Sequence, residues 1–496
     1  MSTKEMQATV ADLGDARRPD QAKPPVATSR NAGIDALRAS LTLLVVFHHA
    51  AVTYGGEGSW FYVEIKPSGA PSSIILTLFS AYNQAFFMGL FFLIAGSLTP
   101  PAIARHGAAG FLRERVIRLG LPLAVFIVVL GPLTVALAQT AHGHPFFGTL
   151  GWLARHGVII PGPMWFVEAL LIFSGLYVVA RATIGGARLE RARPFPSNAV
   201  LAISAAATGA AAFLLRFIWP VGTDIIGLQL GYFASYVVLF LAGCLGANGR
   251  WLESVPADRL RAWRAVSVIS AVTFPVVMLL AARPSTASNA SASGGWNILA
   301  ALYAIWEPLF AWGVILSLVV FYQGRFVALG QLWRKLARRA YLIYIIHPPI
   351  LVGVALAMRS FAAPPLMKFA LAGSAASALC FVAAGAIDLA HGAAHRLTFT
   401  PSNPPRSCRE SLRCIEALLG VGVRSGRNLS AAQGVAGDAL VCRGRRGDEG
   451  HRHATRFPGG QASGADRGRR LRGFHEGIGE AMSGRSAVFD LKRTRR

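Results

Sequence analysis

Ten stretches of roughly 20 apolar residues follow one another between Ala36 and Leu389, and they leave this chain one way to fold. Each is long enough to cross the ~30 Å hydrocarbon core of a bilayer as a helix. Within lipid only a helix or a closed barrel pairs every backbone N–H and C=O, and runs of this length without period-two alternation are helices. They cover residues 36–54, 73–98, 116–137, 164–180, 198–219, 227–246, 265–281, 298–321, 340–357 and 366–389. Composition agrees, because 53% of the 496 residues are hydrophobic and only 15% charged, with a mean hydropathy of +0.46. The expected architecture is all-α: a polytopic membrane helical bundle of ten transmembrane helices.

Charge in the connections predicts the orientation. The even-numbered connections carry 17 Lys and Arg and the odd-numbered ones 5. The positive-inside rule then puts the even connections and both termini in the cytoplasm. The net charge of +25 is therefore largely a topology signal plus two basic tails, and no aromatic-interleaved basic patch points to nucleic acid. Residues 1–33 read as a polar cytoplasmic tail without the apolar core of a signal peptide. Residues 34–397 read as the transmembrane domain. Residues 398–496 read as an Arg/Gly-rich cytoplasmic tail without sustained periodicity, either disordered or translated out of frame.

The first helix is the most informative one chemically. In GIDALRASLTLLVVFHHA, an eleven-residue step leads from Arg38 to His49 and returns to the same helix face about 16 Å further on. A fixed cation at one membrane surface and a titratable base inside the bilayer thus look into one space. Ionisable groups in such positions are costly and mark function. His48 is rotated about 100° from His49.

The same residues carry a resemblance. GIDALRASLTLLVVFHHA, with Asp35, Arg38 and His49, resembles the opening signature of the acyltransferase 3 family of integral membrane acyltransferases. QAFFMGLFFLIAGSLTP (Gln84 to Pro100) is similar to that family's second helix, and FLRERVIRLGLP (Phe111 to Pro122) to its arginine-x-x-arginine segment with Arg115 and Arg118. GPMWFVEALLIF (Gly162 to Phe173) and YLIYIIHPPI (Tyr341 to Ile350) resemble later landmarks. The nearest branch is the glucan-modifying one. The resemblance covers residues 30–395 and implies a ten-helix core that uses cytoplasmic acyl-CoA to modify an extracytoplasmic glycan.

Chemistry assigns roles to these residues. O-acyl transfer needs a base to take the acceptor hydroxyl proton, and histidine suits that task near neutrality. His49 is the expected base; the alternative is a hydrogen bond to a neighbouring helix. Glu168, at similar depth on the fourth helix, is expected to orient His49 as the acid of a triad does, or else to bond elsewhere. Arg38, Arg115 and Arg118 are expected to seat the phosphates of acyl-CoA, with topology charge as the alternative. Asp35, Glu307 beside Pro308, and His347 are pocket candidates, with structural roles equally open. Asp224 is a weaker candidate for touching a sugar. No metal site and no bound cofactor are expected, since His142 and His144 lack further ligands at metal spacing.

The sequence thus predicts a multi-pass inner-membrane O-acyltransferase. Its partners are the lipid bilayer, acyl-CoA and a glycan or related hydroxyl acceptor of the cell envelope, with acetyl or succinyl as the acyl group. The alternative is a proton-coupled transporter of a small metabolite, which also lines its bundle with charged residues.

Overall fold

The computed structural model describes residues 31–281 and 292–398 of the chain. The N-terminal tail up to residue 30 and the basic tail after residue 398 lie outside the described residues. The described residues form thirteen α-helices: α1 (Ala32–Thr53), α2 (Pro71–Arg115), α3 (Leu121–Val125), α4 (Gly131–Thr140), α5 (Phe146–His156), α6 (Trp165–Ala180), α7 (Gly186–Leu189), α8 (Asn198–Ile218), α9 (Phe233–Gly246), α10 (Ala257–Ala281), α11 (Ile298–Arg325), α12 (Gln331–Ala357) and α13 (Pro365–Thr398). Among the described residues β structure is confined to two isolated bridges. The described residues up to Ala386 belong to one compact unit; of a second, Ile387–His475, only the last turns of α13 are described. The protein is an all-α polytopic membrane bundle.

All ten apolar segments predicted from the sequence fall on helices. Among the described residues seven helical stretches are long and apolar enough to cross a membrane, and the longest, Pro71–Thr140, holds two of the predicted segments. Its 70 residues would extend about 105 Å as one rod, more than three times the ~30 Å hydrocarbon core. The chain solves this at Gly107, whose φ of 69° and ψ of 170° break the helix in a conformation that only glycine adopts without strain. Beyond the break the helix passes through two π turns, Val116–Gly120 and Phe126–Leu130, on either side of α3.

α1 lies at the centre, packed against α2, α11 and α12. Its start is fixed by Asn31, whose side chain accepts from the Ile34 N–H at 3.1 Å, with Asp35 in the first turn facing the positive end of the helix. Leu37, Leu41, Val45 and Val46 are buried at its core. In lipid such contacts hold helices by close packing rather than by water exclusion, so small residues at crossings matter. The α2–α9 crossing is the clearest case. A Cβ on Gly96 would lie 2.2 Å from the Phe240 carbonyl, and one on Gly243 the same distance from that of Leu93, so any side chain there would push the two helices apart.

Candidate active site

The C-terminal half of α1 opens onto a cavity of about 1010 Å³, lined by residues of α1, α2, α6, α9, α11 and α12 and by the loops at that end. His48 and His49 both line it. The 100° step predicted to turn His48 away instead gives the two rings different walls of one wide chamber. His48 leans on Phe87 of α2 at 5.0 Å, whereas His49 faces α12.

His49 packs against two flat rings that also stack on each other, Trp60 and His347 lying 5.8 Å apart. Trp60, from the loop after α1, stacks on it with centroids 3.8 Å apart and planes 15° apart. His347 of α12 lies nearly parallel to it at 5.4 Å. The Nδ1 of His49 is buried with no hydrogen-bond partner among the described residues, leaving its other ring nitrogen for the chamber. His347 Nδ1–H donates to the Tyr344 carbonyl at 2.6 Å. A carbonyl only accepts, so this bond fixes the tautomer and leaves a lone pair on Nε2, which is fully buried and has no donor among the described residues. The Tyr344 hydroxyl in turn donates to the Pro163 carbonyl, tying α12 to the segment before α6.

The loop that carries Trp60 is itself fastened. Its Glu64 accepts from Lys368 Nζ of α13 at 2.5 Å, and its backbone returns to Thr53 at the end of α1. Glu57, in the same loop, lines the cavity, and burial pushes its carboxyl up to about 7. Across the chamber stand Asp224, Gln84 and the rings of Trp165, Tyr232, Tyr236 and Tyr303. Gln84 donates to the Tyr236 hydroxyl at 3.0 Å.

Glu307 is paired. Its carboxylate takes a hydrogen bond from Nη2 of Arg216 on α8, a side chain with no solvent exposure. Arg216 also donates from Nε to the Gly231 carbonyl at 3.0 Å, and its guanidinium lies 5.0 Å from the Tyr303 ring and 5.2 Å from the Tyr232 ring. Both tyrosines line the cavity, so the ion pair sits behind its wall. Arg216 is a functional-site neighbour that the sequence did not single out. The available signal was its position within an apolar run at the end where arginines are scarce, with a lone carboxylate three helices later.

At the opposite end of α1 the three predicted arginines come together. Arg38 and Arg118 are both within electrostatic range of Arg115. Arg38 pairs with Asp35 at 3.8 Å, Arg118 with Glu114 at 2.6 Å, and the Arg115 guanidinium lies 5.0 Å from the Phe111 ring. Arg118 belongs to the π turn after α2, and its carbonyl accepts from the Tyr341 hydroxyl at 3.2 Å. Asp35 lines a second, smaller cavity with the first turns of α12.

One expected pairing is not formed. Glu168 lies in the first turn of α6, half-buried, on a helix that packs against α2 and the π turn at Val116–Gly120. No hydrogen bond or ion pair joins it to His49 among the described residues; the imidazole faces Trp60 and His347 instead. Equal depth in the membrane was the ground for pairing them, and depth does not fix which helices are neighbours.

The five sequence landmarks therefore converge in space. His49, Gln84, Pro163 and Tyr344 meet around the chamber, while Arg115 and Arg118 meet Arg38 below it. A family model for an acyltransferase domain, that of the acyltransferase 3 family, matches residues 31–385. Glucans biosynthesis protein C of Escherichia coli K12 is 27% identical over 165 residues, which is 31% of this chain and 40% of that protein. The same protein of Escherichia coli O1:K1 matches to the same extent. The chain thus spans about 40% of the length of the curated relatives it matches. No solved structure matches. A match over 355 consecutive residues that takes in both the histidine chamber and the arginine cluster establishes that this chain belongs to the acyltransferase 3 family of membrane acyltransferases.

Proposed function

We propose that the chain moves an acyl group, acetyl or succinyl, from cytoplasmic acyl-CoA to a hydroxyl of an extracytoplasmic glycan or related envelope acceptor at the inner membrane. One observation carries the reading: His49, at the cavity wall, and the Arg38–Arg115–Arg118 cluster occupy opposite ends of the central helix. The arginines, at the cytoplasmic end, pair with the phosphates of the donor. From there the acyl group must travel about 16 Å along α1 to reach His49. Pantetheine is about as long as four or five extended residues, roughly 15 Å, and covers that distance.

The acceptor enters from the loop end, where the chamber offers flat aromatic faces and the carboxyl groups of Glu57 and Asp224 to a sugar. His49 takes the acceptor O–H proton as the oxygen bonds to the thioester carbonyl carbon. The carbon–sulfur bond then breaks, and the imidazolium returns the proton to the leaving thiolate, so CoA departs as the thiol. Trp60 holds the plane of the imidazole through this cycle, with His347 parallel beside it. The relatives named for glucan biosynthesis support a glycan as acceptor.

The test is to incubate purified protein with radiolabelled acetyl-CoA or succinyl-CoA and linear or cyclic glucans. Free CoA released only when glucan is present, with label on the glucan, is the expected result. Label accumulating inside proteoliposomes without thioester cleavage would replace the acyltransferase reading with transport.

A further inference from the structure

The second cavity, about 530 Å³, lies beside the arginine cluster and is lined by Ala32 and Asp35 of α1, Leu329, and Gln331, Arg334, Lys335, Ala337 and Arg338 of α12. Three cations thus point into a space whose one carboxylate, Asp35, is paired with Arg38. Arg334, Lys335 and Arg338 are exposed, and none forms an ion pair with a carboxylate among the described residues. Arg334, Arg338 and Tyr341 are spaced four and three residues apart, so they share a face of α12. Tyr341 binds the Arg118 carbonyl, which fixes that face toward the arginine cluster. By helix rise, Arg338 and Arg334 stand about 5 Å and 10 Å further along α12 from Tyr341.

Two groups of cations separated by this interval suit a ligand with two separate phosphate centres. Acyl-CoA is such a molecule, since one ribose carries a diphosphate on its 5′ carbon and a monophosphate on its 3′ carbon. We infer that Arg334, Lys335 and Arg338 form a subsite for the 3′-phosphate of the donor, while Arg38, Arg115 and Arg118 hold its diphosphate. This rests on the acyl-CoA reading above and extends it to residues otherwise accounted for as topology charge. The subsite makes the enzyme discriminate CoA from 3′-dephospho-CoA, two compounds that share the pantetheine arm and the diphosphate.

The experiment is equilibrium competition of CoA and 3′-dephospho-CoA against radiolabelled acetyl-CoA on purified full-length protein. Wild type should bind CoA tighter by on the order of tenfold to a hundredfold, the range of one or two charge-assisted hydrogen bonds. Arg334→Gln/Lys335→Gln/Arg338→Gln should lower CoA affinity to that of dephospho-CoA while leaving dephospho-CoA affinity unchanged, which also reports that the variant is folded. Arg338→Gln alone should close part of the gap. Arg118→Gln should weaken both ligands and keep their ratio. An unchanged ratio in the triple variant would overturn the subsite, as would equal affinities in wild type. Absence of binding by either compound to wild type would overturn the donor reading as well. Anionic-lipid nanodiscs make the remaining distinction: loss of lipid preference in the triple variant with an unchanged CoA ratio would assign these cations to lipid headgroups.

Discussion

The indole of Trp60 lies flat on the imidazole of His49, centroids 3.8 Å apart and planes 15° apart, although one residue belongs to a loop and the other to the central helix. The loop is held by the bond between Glu64 and Lys368 at 2.5 Å, so a contact outside the chamber sets the position of a ring within it. Stacking of this kind is worth about 0.5–1.5 kcal/mol beyond area burial. Trp60→Ala should therefore lower turnover by up to about tenfold, and Trp60→Phe by less. Lys368→Met should act in the same direction without touching either ring. Turnover that is unaffected by Trp60→Ala would mean that the stack does not hold the base.

Two adjacent histidines reach one chamber, and their neighbours separate them. His49 stacks on Trp60 with His347 parallel beside the pair, while His48 rests against Phe87. A general base contributes ~10²- to 10⁴-fold, so His49→Ala should cost a factor in that range at unchanged membrane level. His48→Ala should retain most activity. Equal losses would show that the Trp60 stack does not select the base. Glu168→Gln should leave turnover near wild type, since no bond joins that carboxylate to His49; a loss as large as that of His49→Ala would restore Glu168 to the reaction.

The buried pair of Arg216 and Glu307 has an asymmetric energetic signature. Removing one partner strands a charge with no solvent, which typically costs ~3–5 kcal/mol, whereas replacing both with apolar groups is close to neutral. Arg216→Met and Glu307→Leu should each sharply lower the melting temperature in detergent. The double variant should be more stable than either single one. Additive losses would show that each side chain acts through its own contacts, such as the Gly231 carbonyl for Arg216.

What was legible in the sequence followed from properties local to one helix. The ten apolar segments, the shared face of Arg38 and His49, and the depth of Glu307 all depend on period and rise, which a single run displays. The partners were a different matter. Arg216 and Glu307 are 91 residues apart, and Glu64 and Lys368 are 304 apart. Both pairs depend on which helices pack together, a question that hydropathy leaves open because every face is apolar in lipid. Trp60 was hidden for another reason: it sits in a connection, where aromatic residues at a membrane surface are ordinary. The Glu168 pairing erred because it treated equal depth as contact.

Glu57 links the chamber to pH. It lies in the loop after α1, outside the membrane-spanning helices, and burial raises its carboxyl from 4.5 to about 7. The fold thus favours the protonated form. A raised carboxyl contributes stability that is fully present below the unfolded value of 4.5 and is lost as pH climbs through 7. Glu57→Gln keeps the shape of the protonated acid and cannot ionise. It should raise the melting temperature at pH 8, where the wild-type carboxylate is charged at a desolvation cost, and leave it unchanged near pH 4.5, where the wild-type side chain is neutral in the fold. The measurement is a pair of melting curves against pH for wild type and variant, converging on the acid side and parting through neutrality. Curves that stay parallel across this range would mean that Glu57 is solvated in the fold and keeps its ordinary titration.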